Sequence, residues 1–439
     1  MKETDRRSFL KKSAILTAGV AAVPGLMNAG CSPNETVRVG LIGCRGMGFN
    51  DLKSFLKNKD VKCVALCDVD RRVLEPRAAE VEKLTGGKPL LYGDFRQLID
   101  NKDIDAVIIG TPDHWHCLMM VYALEAGKHV YVEKPIGNTI EECDLMVAAR
   151  KRYGHVVQVG QWQRSHPHWQ AAAQYVQEGN IGRVRTVRSW SNVGWKKSIP
   201  VVPDSEAPEG VDYDMWLGPA PQRPYNVNRF HATFRWFWDY AGGVMCDWGV
   251  HLLDFALLGM ERYVPKSVMS VGGKYAFPDD AMETPDTQTA VYDFGDFSLV
   301  WDNTIGIYGA NYKSRGHGVA FVGEYGTLVV DRNGWEVIPE TKSTGAREGY
   351  TGMDVQPAQG VGLDLHVRNF LDCIQKGKKP NCSIETGADI ARFAHLGNIA
   401  YRVGRQVVWD PEKHLFVNDE QASKLVRANY RAPWKLPKV

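Results

Sequence analysis

Residues 37–48 constrain this chain more than any other stretch. Val37-Arg38-Val39-Gly40-Leu41-Ile42 reads as a strand buried on both faces of a parallel sheet, and it runs directly into Gly43-Cys44-Arg45-Gly46-Met47-Gly48. A helical stretch from Phe49 to Lys57 follows, then a strand from Val61 to Leu66 that closes at Asp68. In this strand–turn–helix–strand context the turn is expected to hold a dinucleotide. The glycines permit a tight turn and close backbone approach, and the helix start presents unpaired N–H groups to a pyrophosphate. The spacing departs from G-x-G-x-x-G at its centre: Gly43 and Gly48 fit, Arg45 takes the middle position, and Gly46 falls one place late. Gly43, Cys44, Arg45, Gly46, Met47 and Gly48 are assigned to the cofactor, with Arg45 toward phosphate or the adenine face. Asp68 stands 20 residues after Gly48. A carboxylate there accepts hydrogen bonds from ribose hydroxyls and repels a 2′-phosphate, which favours NAD over NADP. Asp70 competes for the same role.

The alternation continues through a strand at Asp105–Ile109, the run Gly110-Thr111-Pro112-Asp113-His114-Trp115-His116, and a helix from Cys117 to Ala126. A strand at His129–Val132 then ends in Glu133-Lys134-Pro135, and another at Val156–Gly160 ends beside Gln161 and Gln163. Ligands of open α/β sheets collect at the carboxyl ends of strands. Thr111, Pro112, His114, Trp115, His116, Glu133, Lys134 and Gln161 are therefore expected around the cofactor, and no metal is expected at Asp113, His114 and His116.

Residues 1–35 read as a leader. Arg6-Arg7 precedes an apolar run from Ala14 to Met27 that Gly19 and Pro24-Gly25 interrupt, the pattern of a twin-arginine export signal. The run is shorter than the roughly 20 apolar residues a membrane span needs. Ala29-Gly30-Cys31 resembles a lipoprotein cleavage site, with Cys31 as the acylated residue. A periplasmic protein, anchored by lipid at Cys31, is the expectation. Twin-arginine export carries folded proteins, so the cofactor is expected to travel tightly bound and to be regenerated in place. The charge balance of 53 Lys and Arg against 51 Asp and Glu, without a basic stripe, excludes nucleic acid as a partner. The nine cysteines show no zinc spacing. Cys63 and Cys67 fall on one strand face roughly 13 Å apart at about 3.3 Å per residue, too far for a disulfide, so buried free thiols are expected.

The chain resembles the glucose–fructose oxidoreductase / inositol dehydrogenase family over nearly its whole length. The resemblance is carried by the Gly43–Gly48 turn, Gly110-Thr111-Pro112-Asp113-x-x-His116, Gly127-Lys128-His129-Val130, Glu133-Lys134-Pro135 and Gly242-Gly243-x-x-x-Asp247-x-Gly249-x-His251. Trp216-Leu217-Gly218-Pro219-Ala220 and Phe234-Arg235-Trp236-Phe237-Trp238 look like an exported bacterial subgroup. The resemblance implies an α/β protein: an N-terminal Rossmann dinucleotide-binding domain, placed at 36–160, and a C-terminal α+β domain with an open, mostly antiparallel sheet, placed at 161–439. That sheet implies a homo-oligomer, a dimer or tetramer. Catalysis is implied for Lys134, Asp247 and His251.

Oxidising a sugar hydroxyl requires a base for the O–H proton and a hydride acceptor facing the carbon. His251 suits the first task. Asp247, four residues earlier, is expected on the same helix face, orienting the imidazole or binding an adjacent hydroxyl. Lys134 can hydrogen-bond the reacting oxygen. Gln163, Arg164 and Trp238 join these three on the substrate side, and aromatic rings between residues 186 and 251 suit sugar C–H faces. The expected activity is an exported, NAD-dependent sugar or glycoside oxidoreductase. The alternative is a glycosidase that borrows the hydride within one turnover; that branch is understood to lack the lysine of Glu-Lys-Pro, so Lys134 favours the dehydrogenase. Farther along, Val319–Gly323 and Gly326–Val330 read as strands, His366–Ile374 and Thr386–Val403 as helices, and 345–362 as a long loop.

Overall fold

In the computed structural model, residues 36–309, 312, 315–342 and 347–439 are described; the leader, with its arginine pair and Cys31, lies outside them. The first half alternates strand and helix: β1 (Val37–Ile42), α1 (Gly46–Leu56), β2 (Val61–Cys67), α2 (Arg71–Thr85), β3 (Leu90–Tyr92), α3 (Phe95–Asp100), β4 (Ala106–Ile109), α4 (Asp113–Glu125), β5 (His129–Val132), α5 (Ile140–Tyr153) and β6 (Val157–Val159). The strands pair in parallel in the order β3-β2-β1-β4-β5-β6. The order reverses between β1 and β4, and a crevice opens there at the strands' carboxyl ends. Helices cover both faces, which is why these strands are continuously apolar. Ile42, Val107, Ile109 and Val132 pack toward α3, α4 and α5, whereas Val39, Leu41, Ile108 and Tyr131 pack toward α1 and α2.

The register of β1 against β2 slips between Val39 and Gly40, leaving Val64 as an extra residue. This bulge breaks the two-residue alternation. Cys63 and Cys67 consequently lie in the cores on opposite faces of the sheet, not on one face as the sequence suggested. All eight described cysteines are free and buried.

The chain then builds α6 (Pro167–Gln177), β7 (Thr186–Val193), α7 (Tyr213–Leu217), α8 (Val250–Met260), β8 (Ser267–Gly273), β9 (Thr287–Asp293), β10 (Ser298–Ile305), β11 (His317–Val322), β12 (Gly326–Asp331), β13 (Gly334–Pro339) and β14 (Met353–Pro357). These strands form one sheet ordered β14-β13-β12-β11-β7-β10-β9-β8. Only β7 and β10 run parallel; the other neighbours are antiparallel. Its inner face packs on α6 and α8, while Met269, Val271 and Val291 stand exposed on the other. The 345–362 segment is not wholly a loop, because β14 pairs with β13 inside it.

Two helices return to the first sheet: α9 (Gly362–Lys376) and α10 (Ile384–Val403). Val367, Phe370, Leu371 and Ile374 of α9 enter the same core as α1 and α2, and the Phe370 ring meets Phe55 edge-on at 5.8 Å. Along α10, small residues such as Gly387, Ala388 and Ala391 allow close packing on α5 and α8.

At the head of α1, Gly43, Gly48 and Gly110 touch backbone to backbone. A Cβ at Gly48 would strike the Gly43 carbonyl oxygen, and one at Gly110 would strike the Gly48 Cα. Gly43 also takes φ of 88°. Because backbone cannot yield, Gly48→Ala is expected to cost about 1–3 kcal/mol of stability, the usual cost of overpacking. Urea unfolding monitored by circular dichroism checks this.

Candidate functional site

A cavity of about 730 Å³ opens along the carboxyl ends of β1, β2, β4 and β5 and is closed by residues of the second half. Gly43, Arg45, Gly46, Met47 and Asp68 line it, as do Thr111, Pro112, Trp115, Glu133 and Lys134. Arg45 holds the extended N-cap position of α1, φ −101° and ψ 166°, and no side chain caps that helix. The first-turn N–H groups therefore face the cavity without a partner, as an anion such as a pyrophosphate requires. Gly46, at φ 47°, has open space where a side chain would project.

Asp68 accepts the Cys44 N–H at 2.8 Å and the Asp70 N–H at 3.0 Å. Burial pushes its carboxyl up to about 6 despite those bonds. The two aspartates differ in their surroundings. Asp70 caps α2 through the Arg72 N–H, pairs with the Arg72 guanidinium at 2.7 Å and accepts from His231 Nε2 at 2.8 Å, while Asp68 lines the main cavity. An adenosine ribose is within the chemistry of Asp68, and the cradle of residues 43–48 fits a dinucleotide phosphate.

At the other end stand Lys134, Asp247 and His251. Lys134 follows β5, before a cis peptide bond to Pro135. Its Nζ donates to Asp247 Oδ1 at 2.8 Å and to the Asp247 carbonyl oxygen at 2.9 Å. Arg235 Nε donates to the same carboxylate at 3.2 Å. Burial would push the Asp247 carboxyl up; Lys134 and Arg235 outweigh it and hold it well below the usual range. Asp247 lies in a π-helical turn, Met245–Gly249, that leads into α8. The wide turn carries its carboxylate to the two cations, so no hydrogen bond joins it to His251 and it does not orient the imidazole as the helical spacing suggested. His251 Nδ1 is buried with no hydrogen-bond partner among the described residues. Burial first, then the charges of Lys134 and Arg332, push its pKa well below the ordinary histidine value, so the ring is a neutral base.

Several assigned residues stand elsewhere. His114 turns from the cavity to the Trp216 carbonyl at 3.1 Å and packs on Tyr240. His116 bridges the Pro135 and Thr111 carbonyls at 2.7 and 2.8 Å, bracing two strand-end loops instead of touching a ligand. Both turn because α4 begins at Asp113, so their side chains leave from a helix and not from a loop. Cys44 offers its N–H to Asp68 while its thiol sinks into the core, and Gly48 is consumed by packing. Gln161 donates to the Val250 carbonyl. Arg164 forms a buried pair with Asp254, its Nε 2.8 Å from the carboxylate. Trp238 donates to the Glu283 carbonyl and lies under Arg402. Gln163 reaches the cavity only through Arg332, whose Nε and Nη2 donate to its Oε1 at 3.1 and 3.0 Å.

The sequence reading missed Trp162, Arg235, Trp248 and Arg332 as cavity residues. Arg235 and Trp248 lie inside motifs already singled out; Arg332 sits in the β12–β13 turn with no local pattern to mark it. Asp113 also lines the cavity, and burial pushes its carboxyl up to about 8.

If Lys134 and Arg332 suppress protonation of His251, its ring resonances should stay unshifted between pH 8 and 5.5, where an exposed histidine titrates near 6.5. Removing one cation, Lys134→Met, is expected to raise the histidine pKa. Heteronuclear NMR of histidine-labelled protein reads both.

Comparison with known proteins places this geometry. Residues 37–161 match the Gfo/Idh/MocA model described as oxidoreductase family, NAD-binding Rossmann fold, and residues 175–297 and 358–436 match the model of the family's C-terminal alpha/beta domain. An alpha-N-acetylgalactosaminidase of Shewanella oneidensis is 33% identical over 174 residues, 35% of this chain and 38% of that protein. The match thus spans well under half the length of that relative. Among solved structures, the WlbA dehydrogenase of Bordetella pertussis, in complex with NADH and UDP-GlcNAcA, has a TM-score of 0.63 at 18% identity, covering 86% of this chain and 99% of its own. The aldose-aldose oxidoreductase of Caulobacter crescentus, complexed with glycerol, has a TM-score of 0.62 at 20% identity, covering 85% of this chain and 100% of its own. These structures share the fold. The chain belongs to the Gfo/Idh/MocA oxidoreductase family, with its NAD-binding Rossmann fold followed by the family's C-terminal alpha/beta domain.

Proposed function

We propose that this protein oxidises a hydroxyl of a sugar or glycoside with a tightly held NAD. The observation that carries the reading is the meeting of Lys134, Asp247 and His251 in the same cavity as the Gly43–Gly48 cradle. NAD, when bound, supplies the hydride acceptor. Lys134 spends two hydrogen bonds on Asp247 and keeps a third N–H for the reacting oxygen. His251, held neutral and lining the cavity, takes the hydroxyl proton as the carbon gives up hydride. Asp247 neutralises Lys134 and fixes its position. Trp162 and Trp248 offer faces for the sugar ring. The sugar ligands named for WlbA and the aldose enzyme support the substrate class. The twin-arginine leader supports export to the periplasm with the cofactor inside, lipid attachment at Cys31 remains part of the same proposal, and the exposed apolar strands β8 and β9 support a homo-oligomer through the open sheet.

The second reading, an NAD-dependent glycosidase, is favoured by the 33% identity to the alpha-N-acetylgalactosaminidase. A nitrophenyl glycoside separates the two. Oxidation leaves lasting NADH fluorescence with no aglycone released; the glycosidase releases nitrophenol, read near 400 nm, with no lasting NADH fluorescence.

Three outcomes are expected. NAD(H) should co-purify, and His251→Ala should slow sugar-driven reduction of bound NAD by about 10²–10⁴ with cofactor content near normal; stopped-flow absorbance at 340 nm measures this. Asp68→Ala should weaken NAD and relax discrimination against NADP, through loss of ribose hydrogen bonds and of charge repulsion; fluorescence titration of stripped protein with each cofactor measures that.

A further inference from the structure

Arg332 lines the cavity, and the oxidation itself leaves its charge unused. It occupies the turn between β12 and β13, and its guanidinium carbon lies 4.5 Å from the Trp248 ring centre and 5.0 Å from that of Trp162. Gln163 Oε1 takes Nε and Nη2, and among the described residues nothing accepts from Nη1. The neighbouring carboxylates are already engaged. Asp331 accepts the N–H groups of Asn333 and Gly334 and pairs with Arg315 at 3.2 Å. Asp247 belongs to Lys134 and Arg235. Among the described residues, no carboxylate stands within ion-pair distance of Arg332.

The same end of the cavity carries an excess of positive charge. Lys134, Arg235 and Arg332 face one firmly ionised carboxylate, Asp247, while burial pushes the carboxyls of Asp113 and Glu133 toward their neutral forms. Desolvation costs a guanidinium part of its hydration; the two indole faces offset some of that cost, and an anion on the open N–H groups would offset more. Its planar fork matches the two oxygens of a carboxylate, whereas a neutral hydroxyl satisfies one N–H and leaves the charge. The indoles that flank Arg332 also flank the His251 ring, each at 6.4 Å between centres, so an anion on the fork is part of the molecule that meets the base.

We propose that Arg332 sets the specificity of this site by pairing with a carboxylate on the substrate, so that the sugar oxidised is a sugar acid, a uronate or aldonate, in preference to a neutral sugar. This rests on the sugar-oxidoreductase reading and narrows it. Gln163 is then a positioning residue that holds the fork in its plane.

The test compares matched pairs on the holoenzyme: methyl glucuronide with methyl glucoside, and methyl galacturonide with methyl galactoside, with glucose 6-phosphate and gluconate as further anions. Binding is read from tryptophan fluorescence and reduction of bound NAD from absorbance at 340 nm. At least one carboxylate sugar should exceed its neutral partner in kcat/KM by 10-fold or more. Arg332→Gln should lower that acid-to-neutral ratio by about 10²-fold, the scale of a lost charge-assisted hydrogen-bonded pair. Arg332→Lys, which keeps the charge and loses the fork, should fall between and guards against a folding defect in the first variant. Neutral sugars turned over as well as their acids, a ratio unmoved by Arg332→Gln, glucose 6-phosphate preferred to every carboxylate, or no binding by any acid would each overturn the proposal. A uronate that binds through Arg332 yet never reduces NAD would overturn the oxidoreductase reading and leave the carboxylate assignment standing.

Discussion

The pair between Lys134 and Asp247 is the contact on which the site depends. One partner hangs from the end of a strand in the parallel sheet; the other sits in a π-helical turn ahead of α8, against the antiparallel sheet. Buried charges are tolerated only when paired and hydrogen-bonded, and here Asp247 is satisfied from two sides while Lys134 spends part of its capacity. The pair therefore fixes the distance between the two halves of the cavity. It also determines the state of its neighbours. The pull of Asp247 on a His251 proton is outweighed by burial and by the charges of Lys134 and Arg332, so the ring remains a neutral base; among the described residues no carboxylate pairs with Arg332.

Much of the first sheet was legible in the sequence because the signals are local. An apolar run between glycine turns reads directly as a strand, and His129–Val132 falls on β5 residue for residue. That Lys134, Asp247 and His251 share a cavity was legible for a different reason, since the order of motifs along the chain matched a known family. Helix starts were read late: α4 opens at Asp113 and not Cys117, because Pro112 takes the N-cap position, and α9 opens at Gly362 and not His366. β14 escaped notice because an edge strand with exposed polar residues carries no apolar alternation.

The remaining errors share one cause. A residue's type and its place near a strand end do not say where the side chain turns. His114 and His116 stand in the first turn of α4, where a loop was expected, and serve backbone carbonyls. Gln163 and Arg164 are adjacent, but one reaches Arg332 and the other is locked against Asp254. Arg332 itself lies 169 positions from the glutamine that holds it, and only the tertiary fold brings them together. Within β2, one inserted residue was enough to send two cysteines to opposite faces.

The return of α9 to the first sheet has a consequence for how the molecule assembles. Phe370 and its neighbours complete a hydrophobic layer that α1 and α2 leave unfinished, although some 200 residues of the second half intervene. An N-terminal fragment ending after β6 therefore keeps apolar surface uncovered, and the nucleotide cradle sits on an incomplete foundation until residue 376 has been made. The two halves are not beads on a string that mature in sequence. The core beneath the cradle is complete only when nearly the whole polypeptide exists.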